Sequence, residues 1–135
     1  MSARASQGGA CLCGGIRYRL DAPLTDIAHC HCSMCRRNSG GIVTTWVTVP
    51  RAAFVVTRGE LRSYQSSRIT TRHFCSDCGA LIALFTEQSP ESVDVTVATL
   101  DHPEDHPPGR HIWFADRLPW LNLDTELPHE DGETY

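Results

Sequence analysis

Lysine is absent from this 135-residue chain: all twelve basic residues are arginine. Sixteen acids outnumber them and leave a net charge of −4. That balance argues against nucleic acid as a partner, because phosphate attachment depends on basic side chains. The charge is also unevenly placed, with ten arginines against seven acids up to Leu100 and two against nine from Asp101 onward. No apolar run approaches the ~20 residues that a membrane-crossing helix requires, so no membrane association is expected. The opening MSARASQGG has no apolar core of a secretory leader, which makes the cytoplasm the expected location.

Cysteine, by contrast, is plentiful, and the expected reducing location changes how it reads. Short cysteine spacings there suggest metal or redox chemistry rather than disulfide staples. Seven cysteines is moreover an odd number, which a fully paired disulfide framework cannot use up. Cys11 and Cys13 lie in GACLCGG, and Cys75 and Cys78 in FCSDCG. Each pair is followed by glycine, which lets the backbone turn its N–H groups toward sulfur and offset thiolate charge. Together the two pairs would make one tetrahedral four-cysteine zinc site, the plainer alternative being four buried thiols without a metal. Such a site is closed, and its role is folding stability.

Cys30, Cys32 and Cys35 remain, in the run AHCHCSMCRR from Ala28 to Arg37. Three thiolates with a fourth position left for water or substrate is the arrangement of a zinc enzyme. Arg36 and Arg37 follow directly, and either would offset sulfur charge or hold a substrate carboxylate. Two other readings stay open. His29 or His31 would complete a closed set of three cysteines and one histidine, leaving a non-enzymatic zinc-binding module. Cys32-Ser-Met-Cys35 would otherwise be a redox pair, although such pairs usually open a helix within a βαβ pattern that this chain does not show.

The surrounding segments read as short strands. GIRYRL places Ile16, Tyr18 and Leu20 on one face and Arg17 and Arg19 on the other. GIVTTWVTVP, AAFVVT, ELRSYQ, RITTRHF, ALIALF and VDVTVATL continue the series, and RHIWFA is the last expected strand. Only Cys32–Ser39 reads as a helical turn, stopped by Gly40-Gly41. Short strands at regular spacing indicate a mainly β fold in one domain, residues 1–135, with a core over about 9–128. The acidic tail 129–135 is expected to fray.

The segments CLCGGIRY, HCHCSMCRRNSGG, RHFCSDCGALI and HIWFADRLPW, in that order, resemble the glutathione-dependent formaldehyde-activating family, which is grouped with centromere protein V-like domains. The resemblance runs from about Gly9 to about Pro128. It implies a β-tent of short twisted antiparallel sheets organised around two zinc ions. Cys11, Cys13, Cys75 and Cys78 match the family's structural ligands, and Cys30, Cys32 and Cys35 its catalytic ones. The implied activity is that of a carbon–sulfur lyase, exemplified by glutathione and formaldehyde combining to S-hydroxymethylglutathione. Its partners would be a small thiol and an aldehyde, or their adduct.

An alkoxide developing in such a reaction needs a proton donor, for which His29, His31 and His111 are candidates. Trp46, Trp113 and Trp120 would line a cleft or fill the core, with Trp46 in TTWVTV the stronger core position. Arg68 and Arg72 would meet substrate carboxylates or, more simply, sit solvated on a strand face. The HPEDHPP loop holds two histidines and two acids, and reads as a solvated loop more readily than as a third metal site.

Overall fold

Ile16, Tyr18 and Leu20 turn one face of a short strand fully inward, at 3, 1 and 0 % exposure, while Arg19 on the other face meets solvent. This is the alternation that half-burial of a strand demands. The computed structural model describes residues 6–135. The opening segment weighed above for a leader falls partly outside them, at residues 1–5.

Among the described residues two sheets are present. Strands β1 (Gln7–Ala10), β2 (Arg17–Leu20) and β5 (Phe54–Arg58) form an antiparallel sheet in the order β1-β2-β5. The larger sheet uses β3 (Asp26–Cys30), β4 (Thr44–Pro50), β6 (Arg62–Gln65), β7 (Thr70–Phe74), β8 (Leu81–Thr86), β9 (Ser92–Thr96) and β10 (Arg110–Ile112). Its order is β10-β3-β4-β9-β8-β7-β6. Val47, Val49, Val93 and Val95 from the paired β4 and β9, with Ile82 and Ala83 of β8, make the centre of the core. Burying each of the larger side chains contributes roughly 1.5–3 kcal/mol.

The expectation of antiparallel sheets is corrected at one edge, where β10 pairs with β3 in parallel register, Ile112 opposite Cys30. Parallel neighbours need a long connection. Here nearly the whole of the larger sheet is built between them before the chain returns. Strands β1 and β3 escaped the sequence pattern because QGGA and DIAHC contain one β-branched residue between them, Ile27. Helix α1 (Ser33–Ser39) stands where the helical turn was expected, and Gly40 ends it at φ 76° with its N–H on Arg36 O.

The expectation of a frayed tail is also corrected. Residues 129–135 lie along the open edge of β10. Glu130 donates its N–H to His111 O at 3.0 Å, and Phe114 and Trp113 donate theirs to Glu130 O and Gly132 O at 2.9 Å. Arg110 adds an ion pair to Glu130 at 2.8 Å. An edge strand leaves backbone groups without partners, and the tail supplies them.

Candidate active site

The end of β1 and the turn after β7 bring the two outer cysteine pairs together. Cys11, Cys13, Cys75 and Cys78 hold their sulfurs within 4.8 Å of one another, with Cys11–Cys13 at 3.6 Å and Cys13–Cys75 at 3.8 Å. A zinc ion ~2.3 Å from each of four tetrahedral sulfurs separates them by ~3.8 Å, so this donor set fits zinc. Gly14 at φ 79° and Gly79 at φ 80° make the turns. Gly15 and Ile16 point their N–H groups at Cys13 Sγ and Cys11 Sγ, at 3.4 and 3.2 Å. The N–H of Ala80, and then that of Cys13, draw the Cys78 thiol down to about 6.

The remaining three cysteines open into a cavity of about 210 Å³. Cys30 is the last residue of β3, Cys32 is the residue from which α1 departs, and Cys35 is the buried residue of that helix. Cys30 Sγ and Cys35 Sγ are 3.6 Å apart, at tetrahedral zinc spacing. The three sulfurs do not form as compact a group as the four-cysteine set, with Cys32 half exposed beside the other two. Hydrogen bonds from the Cys30 and Cys35 thiols, with the N–H groups of Cys35 and Met34, draw Cys32 down to about 2. Cys30 is pushed up by Cys32, then Cys35, then burial.

Arg72 of β7 decides the character of this cluster. Its side chain is 2 % exposed, and Nη1 and Nη2 each lie 3.5 Å from Cys35 Sγ while Nε donates to Ser66 Oγ at 3.0 Å. The expectation of a solvated arginine is therefore corrected, although Arg72 does border the cavity. Among the described residues no carboxylate pairs with it. A buried guanidinium needs a compensating negative charge, and the sulfurs are what it faces. The Cys35 thiol is raised on balance: the Cys30 hydrogen bond lowers it, Cys32 and burial raise it, and Arg72 draws it down. A cation held by anionic cysteines fits this arrangement. Arg36 does not share the task. Its Nη1 donates to the carbonyls of His31 and Asp116, at 2.6 and 2.7 Å, tying α1 to the following loop.

The candidate proton donors are also elsewhere. Successive strand residues face opposite sides, so Cys30 lines the cavity and its neighbour His29 does not. His29 binds Thr45 Oγ1 and Asp124 Oδ2 through its two ring nitrogens, each at 2.8 Å. His31 Nε2 meets His111 Nδ1 at 2.9 Å, and His111 Nε2 meets Asp124 O at 2.9 Å. Burial, then His111, pushes His31 down to about 4. His31 Nδ1 is buried without a partner among the described residues. None of the three borders the cavity.

Asp94, Glu133 and Tyr135 do border it. Asp94 was missed because VDVTV reads as a plain strand. The signal was an acid amid a buried strand, since Val93 and Val95 point into the core and Asp94 to the cavity side. It accepts a 2.6 Å hydrogen bond from Thr48 Oγ1, and burial pushes it up to about 6. Trp46, Ile112, Leu84 and Trp113 supply apolar wall. Trp46 thus serves both core and cleft, while Trp120 is 64 % exposed and serves neither. The side chains of His102, Glu104 and Asp105 cluster, but all are exposed.

The family model described as glutathione-dependent formaldehyde-activating enzyme matches residues 6–116. The chain belongs to that family. Within the glutathione-dependent formaldehyde-activating enzymes, it is 29% identical over 126 residues to a curated Halomonas elongata protein whose name provisionally assigns it the same activity. That match covers 87% of this chain and 80% of the relative. A solved Rhodobacter sphaeroides protein is also similar, with a TM-score of 0.59 and 25% identity. It covers 91% of this chain and 99% of its own. All seven cysteines and Arg72 lie inside the span that the family model matches, whereas Asp124, Glu133 and Tyr135 lie after it.

Proposed function

We propose that this protein is a zinc-dependent carbon–sulfur lyase acting on a thiol–aldehyde adduct of the S-hydroxymethylglutathione type. On this reading Cys30, Cys32 and Cys35 hold a catalytic zinc, Cys11, Cys13, Cys75 and Cys78 a structural one, and the two sheets are a β-tent organised around both. The observation that carries it is the burial of Arg72 against Cys35 at the base of an open cavity. A closed module would fill its last ligand position from the chain, and His29 and His31 are turned to other partners.

A zinc ion bound by the three cysteines supplies Lewis acidity that holds a substrate sulfur as thiolate at neutral pH. The chain's own groups do the rest. Arg72 offsets negative charge on the cysteine sulfurs, and Trp46, Ile112 and Leu84 keep water from one side of the adduct. As the adduct's C–S bond breaks, its electron pair stays with sulfur and the hydroxyl oxygen forms the carbonyl. The hydroxyl proton passes to Asp94, whose raised acidity range suits a residue that accepts and returns protons near neutrality. Delivered to sulfur or solvent, that proton completes the conversion of one S-hydroxymethyl thioether into one free thiol and one formaldehyde, with no oxidant or reductant.

The test is zinc per chain, together with release of formaldehyde from its glutathione adduct, on protein purified under reducing conditions. Cys32→Ser should keep its fold and the four-cysteine metal but lose turnover. Turnover surviving that change would end this reading.

A further inference from the structure

Part of the lining of the cysteine cavity comes from the tail that follows the family-matched residues. Glu133 and Tyr135 border this cavity and also a second one of about 130 Å³, and both cavities share Asp94 and Leu84. The tail is firmly placed between them. Glu133 Oε1 accepts from Trp113 Nε1 at 3.2 Å, and Gly132 O from Trp113 N at 2.9 Å. Trp113 itself adopts φ 52°, a left-handed backbone uncommon for a bulky residue, and its indole sits between tail and cavity. The chain sustains that conformation where the tail docks.

Apart from Arg72 at its base, the charged groups that line the cavity are acidic. Arg72 is taken up by Cys35 and Ser66, and Arg110, in the neighbouring cavity, by Glu130 and Asp26. Asp94 and Glu133 have no arginine partner among the described residues. Burial foremost raises both carboxyls, against opposing hydrogen bonds and the more distant Arg110. Two carboxyls buried without a cationic partner are stabilised in their ionised form by an ammonium brought between them, and a carboxylate placed there would add like charge to a poorly solvated site. The cavity is also small. At about 210 Å³ it lies below the roughly 300–1,000 Å³ of ordinary ligand pockets, room for a short thiol or for only the thiol end of a longer one.

Resting on the lyase reading of the cysteines, we infer that this pocket selects the adduct of a small aminothiol, its ammonium group facing Glu133 and Asp94, over adducts of thiols that carry carboxylates. Glu133 is the specificity-determining residue, contributed by a segment outside the family-matched span. Glutathione, with two carboxylates to one ammonium, fits this lining less well than a short amine-bearing thiol.

The experiment is calorimetric titration of the zinc-loaded protein with cysteamine, 2-mercaptoethanol and 3-mercaptopropionate, which are similar in length and differ in charge. Cysteamine should bind most tightly and 3-mercaptopropionate least, with roughly five- to tenfold between cysteamine and the neutral thiol for a partly desolvated charge pair. The three thiols also differ in intrinsic acidity, so the decisive comparison is Glu133→Gln, which keeps a carbonyl to accept from Trp113 Nε1. There the cysteamine advantage should shrink severalfold while 2-mercaptoethanol is unchanged. Added salt should shrink the same advantage in the unaltered protein, a readout that needs no variant to fold. Tightest binding of 3-mercaptopropionate, or a cysteamine advantage indifferent to both Glu133→Gln and salt, overturns the inference alone. No binding of any of the three removes the thiol site itself and this inference with it.

Discussion

Arg72 aims both terminal nitrogens of its guanidinium at Cys35 Sγ, each 3.5 Å away, from a position almost sealed from solvent. The link runs from β7 in the middle of the chain to the helix that follows β3, and it joins the two halves of the cysteine pocket. Removing one partner of a buried charge pair leaves the other uncompensated, which is costly.

Arg72→Met keeps most of the volume and removes the charge. Metal analysis of this variant should show the pocket's zinc lost and the four-cysteine zinc retained. Arg72→Lys should restore occupancy only in part, because an ammonium cannot present two donors in a fixed plane to one sulfur. Full zinc content in Arg72→Met would mean that the guanidinium is structural and that the sulfurs bind metal without its help.

The four-cysteine set should behave as part of the fold. Cys75 is 2 % exposed, and its sulfur lies 3.8 Å from that of Cys13, 62 residues earlier in the chain. Closing so long a loop through a metal makes binding free energy into folding free energy. Cys75→Ser should therefore lose on the order of several kcal/mol of stability, and a strong chelator should lower the melting temperature of the unaltered protein sharply. A Cys75→Ser melting curve that overlays the original would show four clustered thiols and nothing more.

Asp94 gives stability an acid-side dependence of unusual sign. Its folded-state pKa is raised to about 6 from 3.8, by burial first, with Glu133 and Asp26 adding and Thr48 and Arg110 opposing. Below 3.8 the carboxyl is protonated in both states and costs nothing. As pH rises toward 6 the unfolded chain loses its proton first, so the folded state is progressively disfavoured by this residue, and above 6 the full cost is present. Asp94→Asn should therefore stabilise the protein at about pH 8, by on the order of 3 kcal/mol, and have far less effect near pH 4. Denaturant titrations of both proteins at the two pH values check this. The same variant should lose turnover, since the amide cannot take the proton.

Gly9 lies where the phenol of Tyr18 crosses β1. A Cβ there would collide with the Tyr18 ring and come 2.7 Å from Thr99 O. The ring has no room to retreat, because Tyr18 is 1 % exposed and its hydroxyl bonds Thr99 Oγ1 at 2.7 Å. Gly9→Ala should cost about 1–3 kcal/mol through overpacking, read as a lower denaturant midpoint. An unchanged midpoint would show that β1 lifts away without loss.

Cysteine spacing made the grouping into four and three legible in advance, because sulfurs two or three residues apart meet at one point through a tight local turn. The turns after Cys13 and Cys78 were legible for the same local reason, as was the inward face of β2. Strand β3 was not legible, since its residues are selected by the pocket and by the histidine cluster rather than by β propensity. Nor was the ordered tail, which owes its place to backbone groups at the far edge of β10. Arg36 and Arg72 exchange the roles that sequence proximity suggests. The arginine next to the cysteines bonds carbonyls, and the one 37 residues away faces the sulfur.

By itself the sequence determined the mainly β class, the family and the seven sulfurs that gather at its two cysteine clusters. These properties depend on alternation and on short cysteine spacings, which act within a turn or a strand. Only the tertiary structure decided which charges meet the sulfurs, that the three histidines lie off the cavity, and that Asp94 and Glu133 border it. Those outcomes depend on which strands become neighbours, and a charge is felt through space, however far along the chain its residue lies.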